Sequence, residues 1–280
     1  MTMVRRAVLA LLMLMIAGLG LLALGYRNAR ADPVVRRIAV ALPGWPAGAR
    51  PVTVALLGDI HIGSATMDAA RLDRIVAQVN AQRPDLIVMV GDFIVGHEPG
   101  SAARLAPALV APLSRLRAPL GVVAVPGNHD HWTGVAAVTT ALDQAGVLVL
   151  RNGAAARGPL AIAGLDDRPT RHARLATTLA AIEALDGAGV MIAHSPILGG
   201  RPSARIRLVL AGHTHCGQVV LPIIGAPRQV TNPHYRCGVV RDPARLTVVT
   251  AGLGTSVLPV RFGAPPDFWL VRLGGIRAAL

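Results

Sequence analysis

Lysine is absent from this chain of 280 residues, and aromatic side chains make up only 3% of it. All 28 basic residues are therefore arginines, and against 15 acids they give a formal net charge of +13. A charge of that size ordinarily points to nucleic acid or an anionic surface. Here the arginines are scattered, and the densest groupings are pairs such as Arg5-Arg6 and Arg36-Arg37. Arginine in place of every lysine is more simply explained by GC-rich codon usage. The charge thus reads as a solvated basic surface, and nucleic acid is not an expected partner. Few aromatics in a chain that is 52% hydrophobic leave the interior to small aliphatic side chains, which suits Val-rich and Ala-rich layers of strands and helices. The two cysteines, Cys216 and Cys237, are too few for a disulfide framework, and no Cys-x-x-Cys motif occurs. One bridge, in a domain outside the cytosol, and two buried thiols both remain open.

What the chain does have at its start is a long run without charge. Twenty residues between Arg6 and Arg27 are nearly all Leu, Ala, Met, Ile or Gly. As a helix rising ~1.5 Å per residue the run reaches ~30 Å, enough to cross a bilayer core. It exceeds the ~7–15-residue apolar core of a cleaved signal peptide. Residues 1–31 are expected to form a membrane anchor or signal segment, 32–50, rich in Pro, Gly and Arg, a linker, and 51–280 one domain. Arg27, Arg30, Arg36 and Arg37 follow the run, which argues against simple export by the positive-inside rule. The Arg5-Arg6 pair ahead of it hints at a twin-arginine signal. The expectation is an anchor in a bacterial inner membrane, with the domain on the outer face.

From Val52 onward short apolar runs alternate with longer amphipathic ones. Residues 52–57, 86–90, 121–125, 160–163, 189–193, 208–211 and 246–250 read as buried strands. Residues 68–82, 101–116, 134–145 and 173–185 read as helices. Such alternation predicts a largely parallel sheet, with functional groups at the carboxyl ends of strands. Metal-seeking side chains sit at those ends: Gly58-Asp59-Ile60-His61, Gly91-Asp92, Gly127-Asn128-His129-Asp130, Ala193-His194 and Gly212-His213-Thr214-His215. Glycine permits tight turns there, so five strand ends can converge on one cleft. Singly, each residue has a plainer role: Asp59 capping a turn, Asn128 filling one, His194 satisfied in a core. The ordered set outweighs those readings.

The series Asp-x-His, Gly-Asp, Gly-Asn-His-Asp, His, Gly-His-x-His resembles the calcineurin-like metallophosphoesterase superfamily. The resemblance covers residues 52–273. It tightens at Gly212-His213-Thr214-His215-Cys216-Gly217-Gln218, Leu221-Pro222, Gly252-Leu253-Gly254-Thr255-Ser256 and Leu258-Pro259-Val260-Arg261-Phe262-Gly263, which look like the membrane-associated or exported bacterial branch. The resemblance implies an α/β fold, a four-layer αββα sandwich of two mixed sheets flanked by helices. It implies two divalent metal ions: Asp59, His61 and His215 at the first, Asn128, His194 and His213 at the second, and Asp92 bridging. A shared carboxylate relieves the repulsion of two dications ~3.5–4 Å apart. Imidazole and carboxylate without thiolate suit Mn, Fe or Zn.

The implied reaction is phosphoester hydrolysis, as phosphodiesterase or phosphatase. A metal-bridging hydroxide attacks phosphorus, and His129 acts as general acid with Asp130 orienting its ring. Given the anchor, lipid- or envelope-derived phosphoesters are the expected substrates. A pyrophosphatase acting on nucleotide-linked lipid precursors and an inactive scaffold are the alternatives. His97, His131, His172 and His234 fall outside the pattern and default to surface or loop roles, while Asp166-Asp167 is expected in a loop near the cleft. Cys216 departs from the pattern, standing where this branch usually has glycine. The 258–262 segment offers apolar surface for a membrane or a substrate groove, with core packing the plainer reading.

Overall fold

The computed structural model describes residues 3–275. Two six-stranded mixed sheets lie face to face, with helices over their outer sides. In chain order the strands are β1 (Val34–Ala41), β2 (Val52–Leu57), β3 (Leu86–Val90), β4 (Val122–Val125), β5 (Leu148–Val149), β6 (Gly153–Arg157), β7 (Leu160–Leu165), β8 (Ala188–Ala193), β9 (Leu208–Ala211), β10 (Gly238–Asp242), β11 (Arg245–Val249) and β12 (Asp267–Gly274). The helices are α1 (Met3–Ala29), α2 (Ala69–Ala81), α3 (Ala102–Leu105), α4 (Pro107–Leu113), α5 (Asn128–Thr133), α6 (Val135–Gln144) and α7 (Leu175–Glu183). The first sheet runs β1-β12-β2-β3-β4-β5, and the second β10-β11-β9-β8-β7-β6.

Strand periodicity builds the layers. In β2, Val54 and Leu56 point between the sheets, where they meet Val88, Val90, Ile162, Val190, Ile192, Leu208 and Leu210. Ala55 and Leu57 point the other way, against Leu72, Ile75 and Val79 of α2 and Leu109 of α4. A third cluster packs Ile182 of α7 on Ala161, Met191 and Val209. Strands β3, β7, β8 and β9 are buried on both faces, which explains why their sequences read as continuous aliphatic runs.

Two expectations need correction. Residues 34–41, read as linker, are edge strand β1, which pairs in parallel with β12 from Val34↔Asp267 to Ala41↔Gly274. The helix expected over 101–116 is broken into α3 and α4, because Pro107 at the start of α4 has no N–H to continue the ladder. The two sheets are mixed, as the resemblance implies, and their pairing is largely parallel, as the alternation predicts; among the described strands β12 runs antiparallel to β2, β10 to β11 and β6 to β7.

Helix α1 is long and apolar enough to cross a membrane, with a mean hydropathy of 2.7 over its 18-residue window and none of that window buried. Only its last turns touch the domain, burying Gly25 and Ala29. A Cβ at Gly25 would stand 2.6 Å from the Phe262 ring and 2.9 Å from the Val260 Cβ, so only glycine allows this approach. The Arg261 N–H donates to the Gly25 carbonyl at 3.0 Å, and Asn28 Nδ2 to the Arg261 carbonyl at 3.3 Å. Tyr26 Oη donates to the Ala65 carbonyl at 3.0 Å, while Arg30 reaches the same carbonyl at 3.2 Å and Asp68 at 3.3 Å.

Candidate metal centre

All seven ligand candidates named from the sequence stand at carboxyl ends of strands, and the fold brings them to one spot. Asp59 and His61 follow β2, Asp92 follows β3, and Asn128 follows β4 at the start of α5. His194 follows β8, and His213 and His215 follow β9. The turns are tighter than glycine alone would make them. Asp59, His61, Asp92, His213 and His215 hold left-handed backbones, with φ of 50°, 51°, 55°, 71° and 49°. Each such residue costs about 1–3 kcal/mol of local strain, and strain of this kind gathers at functional sites. Gly91 shows the crowding: its φ is 81°, and a Cβ there would meet Gly127 N at 2.6 Å and His194 Nδ1 at 2.9 Å.

Two groups of donor atoms result. Asp59, His61, Asp92 and His215 form one, and Asp92, His194 and His213 the other. Asp92 belongs to both. Its Oδ2 lies 3.6 Å from His61 Nε2 and 3.3 Å from His194 Nε2, while Oδ1 accepts the His129 N–H at 2.9 Å. His215 Nε2 is 3.4 Å from Asp59 Oδ1, and both Asp59 oxygens accept the His213 N–H at 3.1 Å. Buried Asn128 completes the second group, its Oδ1 3.0 Å from His194 Nε2.

The donor set fits cations. His61 Nε2 faces His215 Nε2 at 3.1 Å, and His213 Nδ1 faces His194 Nε2 at 3.1 Å. Burial, aided by neighbouring positive charge, pushes His61 and His213 down to about 3 and His215 well below the usual imidazole range. Neutral rings thus present nitrogen lone pairs to a common point, the state in which imidazole binds metal. Burial would also lower His194, but the adjacent Asp92 carboxylate, then Asp59, overrides it and raises His194 to about 10. Its Nδ1 donates to the Val90 carbonyl at 2.7 Å, which aims Nε2 at the cluster. Burial, with Asp92 adding to it, outweighs the positive charges of His194 and Arg261 and raises Asp59 to about 7.

His129 stands beside the ligands, its Nε2 4.0 Å from Asp92 Oδ2 and 3.4 Å from Ser256 Oγ. The orienting role expected of Asp130 falls to another group. His129 Nδ1 is held at 2.6 Å by the Gly96 carbonyl. The Asp130 carboxylate instead accepts four backbone N–H groups, from Asp92, Phe93, Ile94 and Gly127, at 2.8–3.2 Å. It clamps the β3 turn to the start of α5, and burial together with Asp92 pushes it up to about 7.

Sequence reasoning missed several neighbours. His97 is exposed in a loop, as expected, yet lies 4.6 Å from the His129 ring, centroid to centroid, and lines the same pocket with Trp132. Arg261 is fully buried: its Nη2 donates to the Ala251 and Gly254 carbonyls at 2.7 Å and lies 3.3 Å from His215 Nδ1. Nothing in the spacing signals these groups, because each comes from a different segment. His131 pairs with Asp166 at 2.7 Å and stacks on His172, so Asp166 is committed to that pair and to Arg151. His234 pairs with Asp242 on an exposed face. The open question over the cysteines is answered by a disulfide between Cys216 and Cys237, which ties the turn carrying His215 to the segment before β10.

Above the ligands opens a pocket of about 300 Å³, with Asp92, Asn128, His129, His213 and His215 on its floor. Val219, Val230, Val257 and Leu258 form its rim, with Arg228 among them.

A family model described as calcineurin-like phosphoesterase matches residues 52–217. A transmembrane protein with metallophosphoesterase domain from Danio rerio is 32% identical over 281 residues, covering 93% of this chain and 61% of its own. An uncharacterized metallophosphoesterase from Bacillus subtilis is 30% identical over 213 residues, with 72% of each chain covered. The crystal structure of a Thermus thermophilus protein, TT1561, covers 73% of this chain and 91% of that one, at 15% identity and a TM-score of 0.45. The chain spans 61% and 57% of the length of the transmembrane relatives from Danio rerio and Bos taurus.

Proposed function

The chain belongs to the calcineurin-like phosphoesterase family, whose relatives are metal-dependent phosphohydrolases, and on that premise we propose that it hydrolyses phosphoesters at a dinuclear centre. Asp59, His61 and His215 hold one divalent ion, Asn128, His194 and His213 the other, and Asp92 both; Mn, Fe and Zn suit this donor set. The observation that carries the reading is the single Asp92 carboxylate shared by both donor groups. Bound there, the pair supplies an activated water and offsets charge on the phosphoryl oxygens.

The rest falls to the protein. His129 protonates the leaving alcohol from Nε2, while the Gly96 carbonyl holds Nδ1 and so fixes the ring. Asp130 keeps the Asp92 and Asn128 turns in register through its four backbone contacts. Arg228 on the rim faces an incoming anion. Both donor groups and His129 lie together, which speaks against an inactive scaffold.

We further assign α1 as a membrane anchor and the domain to the outer face. In support, α1 has the length and hydropathy of a span, and the Cys216–Cys237 disulfide is chemistry that persists in oxidising compartments. The test is metal analysis of the purified full chain, combined with mono-, di- and pyrophosphate substrates. Two ions per chain with diester cleavage is the expected outcome. One ion or none in active protein would falsify the dinuclear reading, and a preference for pyrophosphate would move the assignment to a pyrophosphatase.

A further inference from the structure

The rim of the pocket carries an apolar projection that the phosphoesterase reading does not use. Leu221 and Gly225 exchange both backbone hydrogen bonds, at 2.8 and 2.9 Å, and set Pro222, Ile223 and Ile224 at the tip of a tight hairpin. Ile223 and Ile224 are 108% and 72% exposed, and Val257 and Leu258, which line the pocket, are 66% and 57% exposed. Single exposed aliphatics are ordinary, but a cluster at one pocket mouth is a contact surface.

The structure also says what lies near that surface. The hairpin base pairs with the 258–262 segment: the Val220 N–H donates to the Phe262 carbonyl at 2.8 Å and the Phe262 N–H to the Gln218 carbonyl at 3.0 Å. The Gln218 side chain donates to the Ser256 and Leu258 carbonyls at 3.0 and 2.8 Å, joining both halves of the rim. Phe262 and Arg261 are the residues against which the end of α1 packs. One continuous set of contacts thus runs from the membrane-length helix through the 258–262 segment to the exposed isoleucines. Arg27 at the helix end and Arg228 on the rim are exposed, and their sign suits anionic headgroups.

We infer that the 221–225 hairpin, with Val257 and Leu258, seats in the lipid surface from which α1 emerges, so that the pocket opens among headgroups and its substrate is a phospholipid phosphoester of that bilayer. The inference rests on the hydrolase and anchor assignments above and names the substrate class they serve. Hydrolysis then breaks one P–O bond of a headgroup phosphodiester with water alone, leaving an alcohol and a phosphomonoester; no other reactant enters.

The experiment uses the full chain reconstituted in phosphatidylcholine–phosphatidylglycerol vesicles. In I224W, the emission added over that of the parent protein is expected to be blue-shifted and quenched by lipids brominated on their acyl chains. Added emission that such lipids leave unquenched overturns the docking, whatever the activity, and is also the result a protein partner at this surface would give. In the I223D/I224D double variant, cleavage of vesicle phosphatidylglycerol, read as loss of the intact lipid and appearance of its phosphomonoester product, should fall at least tenfold, while bis-p-nitrophenyl phosphate is hydrolysed at the parent rate. Equal lipid hydrolysis by variant and parent overturns the inference. A parent that cleaves the soluble diester and no lipid overturns the substrate class alone. A metal-loaded parent that cleaves neither refutes the hydrolase assignment, and with it the lipid substrate, while the quenching still decides the docking.

Discussion

The floor and the rim of the pocket are built on opposite terms. On the floor every candidate functional side chain is buried or nearly so, held by backbone donors and carbonyls, and five candidate ligands sit in left-handed conformations. On the rim the side chains are aliphatic and open to solvent, and their order comes from a hairpin, one glutamine and a disulfide. The floor stores strain for a fixed geometry of charge, and the rim stores unburied apolar area for a contact. Changes to the floor should therefore appear in metal content and turnover, and changes to the rim in stability and in what reaches the floor.

The largest expected effect is on the floor. Asp92→Ala removes the carboxylate common to both donor groups, so bound metal should drop from two ions to one or none and hydrolysis to background. Retention of both ions, measured by elemental analysis, would show that the groups do not share Asp92. His129→Ala should lower kcat by ~10²–10⁴ with metal content unchanged. A loss of metal in that variant would make His129 a ligand instead of a proton donor.

The rim is probed by Cys216→Ser with Cys237→Ser. Opening a loop with a sequence separation of 21 should cost about 3 kcal/mol, or roughly 6–12 °C in Tm for a domain of this size. Matching metal content at 25 °C would keep floor and rim separate. If metal is lost while the fold persists, the disulfide belongs functionally to the floor through its neighbour His215.

The smallest effect comes from protons. His194 is held at about 10, so metal must displace its proton at neutral pH. Because deprotonation favours binding, affinity should climb with pH between about 7 and 10, by up to about tenfold per unit for one proton released. Below about 7, where Asp59 also carries a proton, the slope should steepen. Titration of apo protein with Mn at several pH values measures this, and a flat profile would remove the proton from His194.

The clustering of the seven candidate ligands was legible in the sequence because the chemistry admits few residue types and the fold places them beside strand ends, where the flanking apolar runs mark their positions. Asp130 shows the limit of that reading. Its adjacency to His129 in sequence suggested a pair, but the start of α5 turns its carboxylate away, toward the N–H groups of the β3 turn. Arg261 stood in a segment that carried the resemblance, but its contacts, like those of His97, join distant segments and no spacing reports them. Strand β1 was lost because an edge strand, half exposed along its length and followed by proline and glycine, has the composition of a linker. α3 and α4 shared one amphipathic pattern, and a single proline divided it.

The fastening of α1 has a consequence for reach. A slack tether would let a domain sweep a volume that widens with the square root of the tether's length. Here the chain is gripped at Gly25, Tyr26, Asn28 and Arg30, and β1 begins at Val34. With α1 in a bilayer, the domain has no arm on which to swing away, and the pocket patrols a plane. Encounter with a substrate held in that plane then scales with how densely it populates the plane, whereas a dissolved phosphoester must diffuse to the surface and meets the pocket at its bulk concentration.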